Sequence, residues 1–141
     1  MTNREGAGSY WRRAAVIYEE AERLAQKGVW HLVVRRCQEA VELALKGALL
    51  WAGLEVPRLH DVGAILRRHA DRFPPDFARA VPRLASTSRR LRAERELSFY
   101  GDEESGLPPE ELYTADDAAE ALAAAEEVLE HCRTLVGEGP A

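Results

Sequence analysis

The chain has 141 residues, enough for one domain and too few for two independent cores. No run of about 18 apolar residues is available to span a bilayer, and the opening residues Met1 to Gly6 carry no apolar leader, so a cytoplasmic protein without a membrane partner is expected. The net charge of −5 hides an asymmetry: residues 1 to 101 hold 18 Lys and Arg against 12 acids, whereas residues 102 to 141 hold one Arg against 12 acids. A basic region able to attract phosphates is thus followed by an acidic one able to neutralise it when the helices pack.

In chain order, the first helix is expected from a cap at Ser9 to about Lys27, burying Ala14, Tyr18, Ala21, Leu24 and Ala25, with Gly28 as its stop. The second runs from about Val29 to Ala52. Its residues Val33, Cys37, Ala40, Val41, Ala44, Leu45, Ala48 and Leu49 recur at three- and four-residue steps and form one wide apolar stripe. Arg35, Arg36, Gln38, Glu39, Glu42 and Lys46 fall on the other side, with Glu39 and Glu42 in reach of Arg35 and Lys46. Gly53 and Pro57 end this helix.

Asp61 then caps a short helix carrying Val62, Ile65, Leu66 and His69, which Pro74-Pro75 closes. A fourth helix is expected from a cap at Asp76 to Tyr100-Gly101, kinked or restarted at Pro82. Residues 102 to 113 read as a long irregular loop, and Thr114 caps the last helix, whose Ala118, Leu122, Ala125, Leu129 and Cys132 lie at helical spacing. With no strand pattern and no repeat, the expected architecture is all-α, an up-and-down bundle of four long helices with one short additional helix. Cys37 and Cys132 read as small buried hydrophobes rather than a disulfide.

The order of residue types from Gln38 to Leu50, followed by Gly53, Pro57 and the pair His60-Asp61, resembles the signature of HEPN domains (higher eukaryotes and prokaryotes nucleotide-binding). The resemblance extends upstream to Trp11, Ala14, Tyr18, Ala21, Leu24 and Gly28 and, more weakly, to the alanine-rich last helix, so it covers most of residues 1 to 141. It implies a single helical bundle domain and a homodimer in which the ends of the fourth helices face a shared cleft.

The candidate ligand site is the segment Arg89 to Gly101. Arg89, Arg92 and Arg95 follow one another at steps of three and would form a ridge able to grip phosphate oxygens of a nucleotide or of RNA, with Tyr100 beside it. The alternative for these arginines is pairing with Glu94, Glu96 and the acidic last helix. HEPN ribonucleases carry an Arg followed after four to six residues by a His, the His moving protons and the Arg holding phosphate. Here Arg95 is followed five residues on by Tyr100, and no His lies between His69 and His131. A phenol with a pKa near 10 is a poor general base near neutrality, so no catalytic residue is assigned, and the absent His weighs against an enzyme without deciding the question. Some toxin members also carry, two residues beyond that His, a Tyr that a partner nucleotidyltransferase modifies with AMP; the matching position here is Asp102.

The resemblance therefore points to the non-ribonuclease branch, a nucleotide- or phosphate-binding homodimer acting with a nucleotidyltransferase partner in a toxin-antitoxin-like pair. Two alternatives stand beside it: a metal-independent ribonuclease toxin with a degenerate motif, and a structural adaptor whose aromatic patch of Tyr10, Trp11, Trp30, Trp51 and Phe99 binds protein. His60 is read as a structural hydrogen-bonding residue at the start of the third helix. No metal site and no cofactor are expected, because the histidines lack ligand spacing and no phosphate-cradling glycine loop is present.

Overall fold

The computed structural model describes residues 2–139. Its elements are α1 (Asn3–Gln26), α2 (Trp30–Trp51), α3 (Gly63–Arg68) with a 3-10 turn at Ala70–Arg72, α4 (Pro75–Ala93), α5 (Leu97–Tyr100), α6 (Pro109–Leu112) and α7 (Ala115–Val136). Four are long and three are single turns or little more, and no strand occurs among the described residues. The all-α bundle read from periodicity is the fold. No helix among the described residues is long and apolar enough to cross a membrane.

The core is the predicted stripe of α2. Val33, Cys37, Ala40, Ala44, Leu45, Ala48 and Leu49 are at most 1 % exposed, and α1 and α7 pack against them along their lengths. Small residues set how closely: Ala7, Ala14 and Ala21 of α1 and Ala40, Ala44 and Ala48 of α2 are all buried. Trp11 adds a polar tie, its Nε1 donating to the Leu129 carbonyl of α7 at 2.8 Å, so the ring is a core element and not part of an exposed aromatic patch. Trp51 stacks against Phe73, with the Arg4 guanidinium 4.0 Å from its ring centroid. Trp11 and Trp51 thus have different surroundings, the first against α7 and the second against Phe73 and Arg4.

Several boundaries differ from the sequence reading. α1 starts at Asn3, six residues before the expected cap Ser9, because Thr2 and Glu5 form a reciprocal capping box. α4 is capped at Pro74 rather than Asp76; with Pro75 at its first position the missing N–H is one that no helix partner would take. It continues through Pro82 to Ala93. Asp61 lies one residue before the third helix's cap, Val62, yet does capping work: its Oδ1 accepts the Gly63 N–H at 2.9 Å and the Ser88 hydroxyl at 2.8 Å. The expected long loop contains α6 and a tight turn in which the Asp102 N–H donates to the Leu107 carbonyl at 2.9 Å. Gly101 enters that turn at φ 81°, where a Cβ would sit 2.5 Å from the Leu107 oxygen.

The end of the fourth helix changes the site. The expected continuous helix to Gly101 breaks at Glu94, and residues 94 to 96 form a turn before α5 begins at Leu97. No Gly or Pro marks the break. Two contacts from α2 hold it: Arg35 Nη1 donates to the Arg95 carbonyl at 2.6 Å, and His31 Nδ1 lies 3.1 Å from the carbonyl of Ser98, a residue that is wholly buried.

Candidate functional site

The break divides the predicted arginine ridge. Arg89 stays exposed on α4, and Arg92, in the last helical turn, pairs with Glu96 at 2.7 Å. Arg95 has left the helix, and its Nη1 donates to Gln38 Oε1 of α2 at 2.7 Å. The three guanidinium groups therefore do not lie on one helical face. Pairing with Glu96 follows the alternative read from sequence, whereas the Arg95 to Gln38 bond follows neither reading. Tyr100 ends α5 at 68 % exposure, edge-on to Phe99 with ring centroids 5.0 Å apart. Phe99 is also exposed, and the Arg35 guanidinium sits 4.9 Å from its ring centroid. An aromatic pair facing solvent thus stands beside Arg35, and Leu97 and Leu107 are also exposed apolar residues of the segment.

Behind this surface runs a chain of half-buried polar groups that sequence reading assigned to the solvent side of α2. Gln38 is 2 % exposed. Its amide nitrogen donates to Glu42 Oε1 at 2.9 Å, the same oxygen lies 2.9 Å from His60 Nδ1, and Lys46 donates to Glu42 Oε2 at 2.8 Å. Burial opposes the charge on Glu42, but the hydrogen bonds from Lys46, Gln38 and His60 outweigh it and hold the carboxyl below the usual range. An ionised carboxylate only accepts, so His60 carries a proton on Nδ1 and donates it to Glu42. His60 thus bonds α2 and not the start of α3 as expected. The signal that could have found this network was the spacing Gln38, Glu42, Lys46, three polar residues at steps of four along one side of the helix.

The predicted charge pairs on α2 form, Arg35 reaching Glu39 at 3.8 Å and Lys46 reaching Glu42 at 2.8 Å, and Arg36 pairs with Glu39 as well, at 2.6 Å. At the far side of the α4 end, Tyr113 donates its hydroxyl to Glu94, and burial with that carboxylate pushes the phenol well above its ordinary range. Cys37 and Cys132 are free thiols, both buried. No cluster of three or more metal-ligating side chains occurs among the described residues.

The sequence model of the HEPN domain family matches residues 7–135. Two solved structures are similar along nearly their whole lengths. One is an archaeal HEPN homologue, ST0689, at 25 % identity over 92 % of this chain and 97 % of that one, with a TM-score of 0.72. The other is TT1696 from Thermus thermophilus, at 24 % identity over 91 % and 96 %, with a TM-score of 0.73, a likeness of fold. No curated protein matches the chain.

Proposed function

The chain belongs to the HEPN domain family, and on that premise we propose that it is a phosphate- and nucleotide-binding module whose ligand surface is built from Arg89, Arg92, Arg95 and Tyr100. The observation that carries this reading is the exposed Phe99 and Tyr100 pair in the segment that follows Arg92 and Arg95, with the Arg35 guanidinium 4.9 Å from the Phe99 ring centroid. Bases stack on aromatic faces irrespective of sequence, while guanidinium groups hold the phosphates. Arg92 and Arg95 exchange their present acceptors, Glu96 and Gln38, for phosphate oxygens when a ligand arrives. Two chains form a homodimer with their Leu97 to Tyr100 segments across a shared cleft, the apolar contact coming from Leu97 and Leu107. A nucleotidyltransferase protein is the proposed partner, in a toxin-antitoxin-like pair; this part rests on the family resemblance of the Arg95 to Gly101 segment.

The test is calorimetric titration of the purified chain with ATP and with a short single-stranded RNA, at low and moderate salt, beside an Arg92→Ala/Arg95→Ala variant. Binding that weakens with salt and disappears in the variant is expected. A parent protein that binds neither ligand overturns the reading, and light scattering of the same sample decides between dimer and monomer.

One observation favours a second reading, RNA cleavage with Arg95 on the phosphate. His60, on a different element from the family's missing His, is oriented by Glu42, and Glu42 is joined through Gln38 to Arg95. Cleavage of RNA that both His60→Ala and Arg95→Ala abolish would establish it; intact RNA at high protein concentration would end it.

A further inference from the structure

In the turn between α4 and α5, side chains of α2 stand in for helix hydrogen bonds. An unbroken helix would give the Arg95 carbonyl the N–H of Phe99, four residues on. Here that N–H donates to the Glu96 carbonyl at 3.1 Å, and the Arg95 carbonyl instead accepts from Arg35 Nη1 at 2.6 Å and from the Ser98 hydroxyl at 3.3 Å. The Glu94 N–H goes to Leu91 at 3.0 Å and the Arg95 N–H to Arg92 at 3.2 Å, each three residues back, the tightened bonding of a helix end. At the close of the segment the Ser98 carbonyl faces His31 Nδ1 at 3.1 Å, while the Asp102 N–H, its partner in a longer helix, is committed to Leu107. We propose that Arg35 and His31 are a latch that holds the Arg95 to Tyr100 segment in this broken form, and that a ligand on the arginines releases it and joins α4 and α5 into one helix. The inference rests on the ligand surface assigned above to Arg89, Arg92, Arg95 and Tyr100.

The local sequence favours the joined form. From Arg92 to Leu97 the residues are Arg, Ala, Glu, Arg, Glu and Leu, all strong helix formers, and no Gly or Pro intervenes before Gly101. Ser98 follows Leu91 by seven residues, two helical turns, so in a joined helix the two share a side, and both are already buried. What opposes joining is one side of α2. His31, Arg35 and Gln38 follow one another at steps of four and three, and each bonds the segment: His31 at the Ser98 carbonyl, Arg35 at the Arg95 carbonyl and Gln38 at the Arg95 guanidinium.

The two forms differ in what they offer a ligand. In the latched form both arginines are engaged, Arg92 with Glu96 and Arg95 with Gln38. In the joined helix Arg92, Arg95 and Phe99 fall on one side at steps of three and four, which sets two guanidinium groups next to an aromatic ring. A ligand that touches both arginines therefore favours the joined form, and its apparent affinity for the latched protein is reduced by the fraction of molecules that are joined. Weakening the latch should tighten binding, the opposite of what losing an ordinary structural contact does.

Backbone chemical shifts of residues 93 to 97, measured by NMR without any ligand, test the latch directly. The parent should show a turn there, and His31→Ala and His31→Ala/Arg35→Leu should move these residues toward helical values. Arg35→Lys, which keeps a donor for the Arg95 carbonyl, should retain the turn. Melting curves confirm the fold, and the single change at half-buried His31 carries the test if the double variant is unstable. In calorimetry with the short single-stranded RNA, His31→Ala should bind about fivefold or more tightly than the parent, and RNA added to the parent should itself drive residues 93 to 97 helical. Turn shifts that persist in both latch variants overturn the latch whatever binds, and so does RNA binding that is unchanged or weaker in His31→Ala. A parent that binds no RNA overturns the ligand surface, and the ligand-free shifts still decide whether Arg35 and His31 hold the break.

Discussion

Arg95 and Gln38 form a hydrogen bond of 2.7 Å between the turn after α4 and a face of α2 where the amide is almost wholly buried. Gln38 Oε1 has Arg95 as its donor, and the Gln38 amide nitrogen is committed to Glu42. Arg95→Ala therefore leaves a buried carbonyl oxygen without a donor. The expected loss is about 1 to 3 kcal/mol, read from urea denaturation as a lower midpoint with unchanged slope. A ligand-binding defect in this variant is meaningful only at temperatures where it remains folded.

Glu42 gathers three donors from Gln38, Lys46 and His60, and its carboxyl is held below the ordinary range. A carboxyl with a depressed folded pKa contributes stability that is present above its unfolded value, near 4.3, and is lost as pH falls through the folded one. Glu42→Gln should thus destabilise the protein at pH 7 by about 1 to 3 kcal/mol. The difference between variant and parent should shrink below roughly pH 4. A constant difference across pH 3 to 7 would refute the assignment.

Gly47 lies where α1 crosses α2. A Cβ there would sit 2.8 Å from the Cβ of Tyr10 and 3.1 Å from the Ala7 carbonyl oxygen, and neither is the free end of a flexible side chain. Gly47→Leu should force the two helices apart despite leucine's better helix propensity, at a cost of about 1 to 3 kcal/mol. Thermal melting followed by circular dichroism would show it; a higher melting temperature would mean that the crossing is loose.

Burial pushes the Cys37 thiol up to about 12, and the Cys132 thiol also lies above its ordinary range. Both thiols should resist a disulfide-exchange reagent in the native protein at pH 7 to 9 and react together in denaturant. Because these folded thiols keep their protons longer than unfolded ones, their contribution to stability is complete below the ordinary thiol value of about 8.5 and declines above it. Rapid native-state labelling would contradict the packing of α2 against α7.

How much of this is legible before folding depends on the range of the interactions involved. The stripe of α2, the stop at Gly53 and the Thr114 cap are readable because each is written within a few consecutive residues. Thr2 to Glu5 carries the same kind of local signal, a capping box, and it rather than Ser9 begins the first helix. The break at residues 94 to 96 has no local signal at all: Arg-Ala-Glu-Arg-Glu-Leu is good helix-forming sequence, and contacts from Arg35 and His31, some sixty residues away, hold the broken form.

The candidate site divides along the same line. Which residues can carry charge, and that the family's His is absent after Arg95, are properties of the chain order and need no coordinates. That Arg95 turns inward to Gln38, that His60 meets Glu42, and that an alanine face of α7 opposes the arginines of α4 were decided by the tertiary structure. Periodicity assigns a residue to a side of its own helix, whereas its partner is chosen by what the rest of the chain brings against that side.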